Sequence, residues 1–182
     1  MRWVLLIVIL PLCSSCWYVV HKNFTVPLNG YVKNNSIRMD GYYLHQNAED
    51  SYSLFLFYDN GIAYDVHFGL GYLKDMGIDS FVAKEILPNV PGLAEWKNPG
   101  AFRVEENKIG INIVHHTYYN WHRVREYQGT ILSDTTFMIT SEYEPKMLPK
   151  RTDTVVYHFV PGPKPDSTRN NWVLHRNWYK GK

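Results

Sequence analysis

Residues 51–68 read SYSLFLFYDNGIAYDVHF, and the fold turns on this stretch. Apolar and aromatic residues crowd both sides of Asn60-Gly61. That dipeptide is favoured in type I′ hairpin turns, because both central residues there take positive φ. With a two-residue loop, Phe55, Phe57, Ile62, Tyr64, Val66 and Phe68 share one face of the hairpin. The opposite face then carries Leu54, Leu56, Tyr58, Ala63, Asp65 and His67, a mixed set. A three-residue loop shifts the pairing by one residue and swaps the faces of the first strand. A hairpin is expected here, in one of these two registers.

Strand signals continue on both sides. Upstream, 37–44 is a candidate first strand with a bend at Asp40-Gly41. Downstream, 69–100 is rich in Gly and Pro, with Asp79-Ser80 as a helix start before FVAKEIL and Pro88 as its stop. This reads as one short helix in a long crossover, of the kind that acts as a lid over a ligand. Strands resume with AFRVEE (101–106), KIGINIVHHTYY (108–119), RVREYQGTIL (123–132), TTFMITSEY (135–143) and TVVYHFV (154–160), with a Pro-bearing loop over 144–151. About eight short strands joined mostly by tight turns predict an all-β fold, a single antiparallel barrel or a sandwich. In the tail, Trp172, Val173, Leu174, Trp178 and Tyr179 are placed to dock back on it.

The whole chain has 182 residues, enough for one sizeable domain. Aromatics make up 15% and charged residues 20%, which excludes a disordered chain. A net charge of +2 gives no support for a nucleic-acid partner held through phosphates.

The chain begins MRWVLLIVILPLCSSC. A basic residue, an apolar run of signal-peptide length and small residues mark a targeting segment, and the run is shorter than a membrane-spanning helix requires. The segment resembles a bacterial lipoprotein signal, with Ser14-Ser15 before Cys16 as the lipidated residue. Cys13 stands where that motif usually has Leu. The resemblance implies a signal peptide over 1–15, a lipidated start and tether over 16–35, and a domain over 36–182. It also implies a membrane partnership through palmitate-like acyl chains and a place in the bacterial envelope, at the outer membrane. Each buried methylene contributes about 0.8 kcal/mol, so several chains anchor without a spanning helix. With Cys16 acylated, no thiol is left for disulfides or catalysis.

GAFRVEENKIGINI (100–113), GTILSDTTFMIT (129–140) and FVPGPKPDSTRNNW (159–172) resemble the small lipocalin-like lipoproteins of bacterial envelopes. The lipocalin Gly-x-Trp signature is replaced by Gly41-Tyr42-Tyr43, and no functional residue carries over. The resemblance implies a lipocalin-like barrel.

No catalytic signature emerges. His115, His116 and His122 are the candidate metal ligands, but adjacent strand residues point to opposite faces. No acidic or thiol partner stands at ligand spacing, so neither a metal nor a cofactor is expected. Asp59, Asp65 and Asp134 read as turn residues, and Glu142 and Glu144 end a strand. No Gly-x-Ser-x-Gly elbow is present. The unusual excess is aromatic, and Phe55, Phe57, Tyr64, Trp121 and Tyr127 are the candidate ligand-lining residues. The leading expectation is a binding module holding a small apolar or amphiphilic ligand in the barrel. The alternatives are a structural lipoprotein that binds an envelope partner through an exposed face and, behind it, an envelope hydrolase.

Overall fold

The computed structural model describes residues 25–26, 35–47, 50–73, 76–87, 98–116, 122–144 and 147–175. Cys13, Cys16, Trp121, Trp178 and Tyr179 lie outside these residues.

The strands are β1 (Gly41–Gln46), β2 (Ser51–Phe57), β3 (Ile62–Gly69), β4 (Asn98–Glu105), β5 (Lys108–His116), β6 (His122–Ser133), β7 (Thr136–Glu144), β8 (Met147–Arg151) and β9 (Val155–Pro161). Each of β1 to β7 pairs antiparallel with its successor, and β9 returns between β7 and β1. The result is a closed eight-stranded antiparallel barrel, as the strand rhythm predicts. Residues 147–151, expected in a loop, instead form β8, which pairs with β7 at Glu142↔Arg151 and Glu144↔Met147. Pro149 is tolerated there because β8 stands outside the closed ring, on an edge.

The 51–68 hairpin takes the three-residue loop. Phe57 pairs with Ala63 and Leu56 with Tyr64. The Tyr58 N–H donates to the Ile62 carbonyl at 2.9 Å, and the Gly61 N–H donates to the Tyr58 carbonyl at 3.0 Å. Gly61 alone of the turn residues has positive φ, at 83°. That is a tight turn closed by a glycine bulge, not the type I′ turn that Asn60-Gly61 suggests. Leu54, Leu56 and Tyr58 therefore join Ile62, Tyr64, Val66 and Phe68 on the outer wall, while Phe55 and Phe57 join Ala63, Asp65 and His67 inside.

Two cores follow from this register. Inside the barrel, Tyr43, Phe55, Phe57, Phe102, Phe137 and Tyr157 pack ring against ring. Phe57 and Phe102 centroids lie 4.6 Å apart, and Phe137 stacks on Tyr157 at 5.0 Å. Ile37 joins this core from the segment before β1. The Tyr43 hydroxyl donates to the Asp134 carbonyl at 2.7 Å, and the Arg38 N–H donates to the same carbonyl at 3.0 Å. These contacts seal the end of the barrel where β1 begins.

The second core lies on the outer wall. Helical turn α1 (Leu70–Leu73) leads to α2 (Ile78–Phe81), which runs into a π-helical turn (Val82–Ile86). Phe81, Val82 and Ile86 are buried against Leu54, Leu56 and Phe68, and the Tyr42 hydroxyl donates to Asp79 at 2.6 Å. The described part of the crossover thus packs on the side of the barrel, while 88–97, the rest of the expected lid, lies outside the described residues. The helix starts at Ile78 with Gly77 as its cap, not at Asp79-Ser80. The tail docks as its apolar residues suggest. A 3-10 turn (Ser167–Asn170) leads into α3 (Asn171–Leu174), where Val173 is buried in the outer core and Leu174 packs against it. Ser167 bonds Asp59, and Asn60 donates to Asn170 at 2.8 Å, pinning the tail to the 58–62 turn. Among the described residues, no helix is long and apolar enough to cross a membrane.

Phe57 touches Tyr43, Phe102 and Phe137 at once. Phe57→Ala should lower stability by about 3–5 kcal/mol, read from the urea midpoint at unchanged m-value, since the surrounding rings cannot collapse onto the void.

Candidate binding site at the barrel mouth

Alternation along each strand fixes which side chains face the interior, and those residues change from apolar to polar from one end of the barrel to the other. On β3 the inward run is Ala63, Asp65, His67. On β5 it is Ile109, Ile111, Ile113, His115. On β6, read from the far end, it is Tyr127, Arg125, Arg123. Glu142 and Glu144 on β7 stand opposite Tyr127 and Arg125, brought there by a register shift at Gln128/Gly129. The end distant from Ile37 is therefore a mouth lined by charged groups above an aromatic floor.

Asp65 is the centre of this site and is fully buried. Its Oδ2 contacts His67 Nε2 at 3.0 Å and accepts a hydrogen bond from the Tyr127 hydroxyl at 3.0 Å. His115 Nε2 stands 3.5 Å from the same oxygen, too far for a good hydrogen bond. Among the described residues, neither Asp65 Oδ1 nor His115 Nε2 has a hydrogen-bond partner. One carboxylate oxygen is crowded with donors and the other is bare.

Around this centre the charges alternate. Arg125 Nε lies 3.0 Å from Glu142 and its terminal nitrogen 3.2 Å from Glu144. Arg123 lies 3.2 Å from Glu144. Ser53 and Tyr157 share a hydrogen bond of 2.9 Å beside the floor, where Tyr157 packs on Phe55 at 5.0 Å. His67 is the gate residue, with 46% of its side chain exposed.

The electrostatics follow from burial and pairing. Burial opposes the Asp65 charge, but the His67 and His115 imidazoles outweigh it and hold the carboxyl well below the usual carboxylate range. For His67, burial works downward, and Asp65 more than offsets it, raising the imidazole above its ordinary 6.5. Burial, then the Asp65 charge, pushes the Tyr127 and Tyr157 hydroxyls upward, so both stay protonated donors.

The candidate ligand-lining residues divide. Phe55, Phe57 and Tyr127 face the interior, as floor and wall of the mouth. Tyr64 does not; the hairpin register puts it on the outer wall, where it packs on Tyr58 at 5.5 Å. Trp121 and the lipidation candidate Cys16 lie outside the described residues. Of the metal candidates, His115 turns inward to Asp65, while the β5–β6 register pairs His116 with His122. Among the described residues, no three His, Cys, Asp or Glu side chains are grouped to hold a metal ion.

Asp65 is not the turn residue that its place beside the hairpin suggests, but a fully buried side chain within β3. Its detectable signal was Asp65 and His67 two apart on one face of an otherwise apolar strand. A separate shallow groove on the outer wall, lined by Val26, Arg103, Lys108, Glu126 and Gln128 among others, shows no comparable convergence. No family model, curated protein or solved structure matches this chain.

The pH dependence has a definite sign. The raised His67 contributes stability that is full below the ordinary imidazole value of 6.5 and lost as pH rises through its folded value. The depressed Asp65 contributes stability present above the ordinary carboxylate value of 3.8 and lost as pH falls through its folded value. The pair therefore supports the fold most between these two ordinary values. Urea unfolding should show stability declining as pH rises from 6.5 to the raised His67 value, and Asp65→Asn should flatten that decline.

Proposed function

We propose that this chain is a small-molecule-binding module of a bacterial cell envelope, anchored by acyl chains on Cys16, with its ligand seated in the polar mouth of the barrel. One observation carries the reading: a fully buried carboxylate, two imidazoles and two guanidiniums converge inside one end of the barrel, above rings that fill its depth. An eight-stranded barrel has room for side chains or for one small ligand. Here the depth is aromatic, so the ligand is small and amphiphilic, with its polar group at the level of Asp65 and its apolar part against Phe55, Tyr127 and Tyr157. The anchor is supported by the lipoprotein-like start, MRWVLLIVILPLCSSC.

An alternative as a partner-binding face has less support. Among the described residues, the large exposed apolar side chains Leu70, Leu132 and Tyr143 stand on three different elements, and Leu132 and Tyr143 lie toward opposite ends of the β6–β7 ladder. Acid–base catalysis is favoured by one observation, the convergence of Asp65, His67 and Tyr127 with displaced pKa values. Chemical change of the bound molecule on incubation would select it.

Native mass spectrometry of the full chain, extracted from bacterial membranes in mild detergent, tests both halves. The expected species begins at Cys16, carries acyl groups and holds a small molecule that leaves on denaturation. Cys16→Ser should lose the acyl mass and the membrane partition. A bare protein mass after gentle extraction would count against the ligand, and an unacylated chain would remove the anchor.

A further inference from the structure

Among the described residues, the mouth has a surplus acceptor and no surplus cation. Arg123 and Arg125 are both engaged by Glu142 and Glu144 at 3.0–3.2 Å. An anionic ligand would have to break those pairs and then face Asp65, Glu142 and Glu144. Asp65, in contrast, keeps one oxygen without a donor, and leaving a buried charged acceptor half-satisfied is costly. The most exposed partner of this carboxylate is His67, which contacts the other oxygen, Oδ2, and is half exposed at the mouth. An imidazole on a strand end can swing outward at little cost in packing, unlike Tyr127 or His115, which are mostly buried. Next to this carboxylate, whose Oδ2 the Tyr127 hydroxyl meets, Phe55 lies 5.4 Å from the Tyr127 ring and 5.0 Å from the Tyr157 ring, and a carboxylate beside aromatic rings suits a desolvated ammonium.

We propose that the barrel mouth binds a small organic cation, whose ammonium group docks on Asp65 in place of the His67 imidazole. The proposal rests on the mouth being the ligand site and names the ligand class. The ammonium donates to Asp65 Oδ1 and Oδ2, and its carbon body lies on Phe55, Tyr127 and Tyr157. The titratable groups facing the Asp65–His67 pair are His115 on β5, Arg125 and Tyr127 on β6, Glu142 on β7 and Tyr157 on β9. Among these His67 is the one that competes directly for the carboxylate, so cation affinity rises as His67 loses its proton.

Imidazole NMR spectra of the full chain in non-ionic detergent, titrated with butylammonium, butanol and butyrate, provide the test. Butylammonium alone should shift the His67 and His115 signals saturably. Asp65→Asn should weaken its binding by about tenfold or more, the loss expected for a charge-assisted hydrogen bond. His67→Ala keeps Asp65 and removes the competitor, so it should bind butylammonium several-fold tighter than the parent, which a loss of folding cannot mimic. Butyrate or butanol shifting the same signals at equal concentration, or weaker binding by His67→Ala, overturns the cation assignment. The molecule that co-purifies with the protein separates the two levels. An anion lost on Asp65→Asn sinks only the ligand class. A ligand retained by both Asp65→Asn and Arg125→Ala sinks the mouth as the site as well.

Discussion

The register of the first hairpin governs the molecule. Gly61 takes a positive φ that the other residues of its turn do not, and this adds the third residue to the loop. Because strand side chains alternate with period two, that one residue decides which half of β2 faces inward. With Phe55 and Phe57 inside, the barrel interior fills with rings. With Leu54, Leu56 and Tyr58 outside, beside Ile62, Tyr64 and Val66, the outer wall becomes apolar and must be covered. The crossover helices and the C-terminal turn supply that cover. The same alternation sends Asp65 and His67 inward.

A barrel with an apolar inside and an apolar patch outside has two cores to satisfy with one layer of strands. The chain meets the second demand with short elements tied by a few polar contacts, Tyr42 to Asp79 on the crossover and Asp59 to Ser167 and Asn60 to Asn170 on the tail. The inner core relies chiefly on ring packing from Ile37 up to Tyr157, with the Tyr43–Asp134 and Ser53–Tyr157 hydrogen bonds beside it. Above Tyr157 the interior turns polar, and stability there depends on pairing. A buried ion pair adds little over a packed apolar pair, whereas losing one partner is strongly destabilising. Asp65 with one bare oxygen is thus a poor arrangement for stability alone.

Strand rhythm made most of the architecture legible. Turn residues at Asn60-Gly61, Glu106-Asn107 and Ser133-Asp134 punctuate alternating segments, and the hairpins form at each of them. The tail also announced its docking through Val173 and Leu174. The strand over 147–151 was hidden by Pro149, because a proline reads as a loop unless the strand is known to be an edge. The site was less legible. Tyr127 donates to Asp65 across 62 positions of sequence, and Glu142 reaches its place only through the register shift between β6 and β7.

The sequence by itself determined an all-β chain, its turns and its aromatic wealth, because these depend on local period, turn chemistry and composition. Only the tertiary structure decided the hairpin register, the side of the barrel that the crossover covers, and the meeting of Asp65, His67, His115 and Tyr127. Asn60-Gly61 fits loops of either length, so the choice falls to whichever register buries both faces at once. Barrel closure then sets which inward residues from distant strands share one end, and that end is where the charges collect.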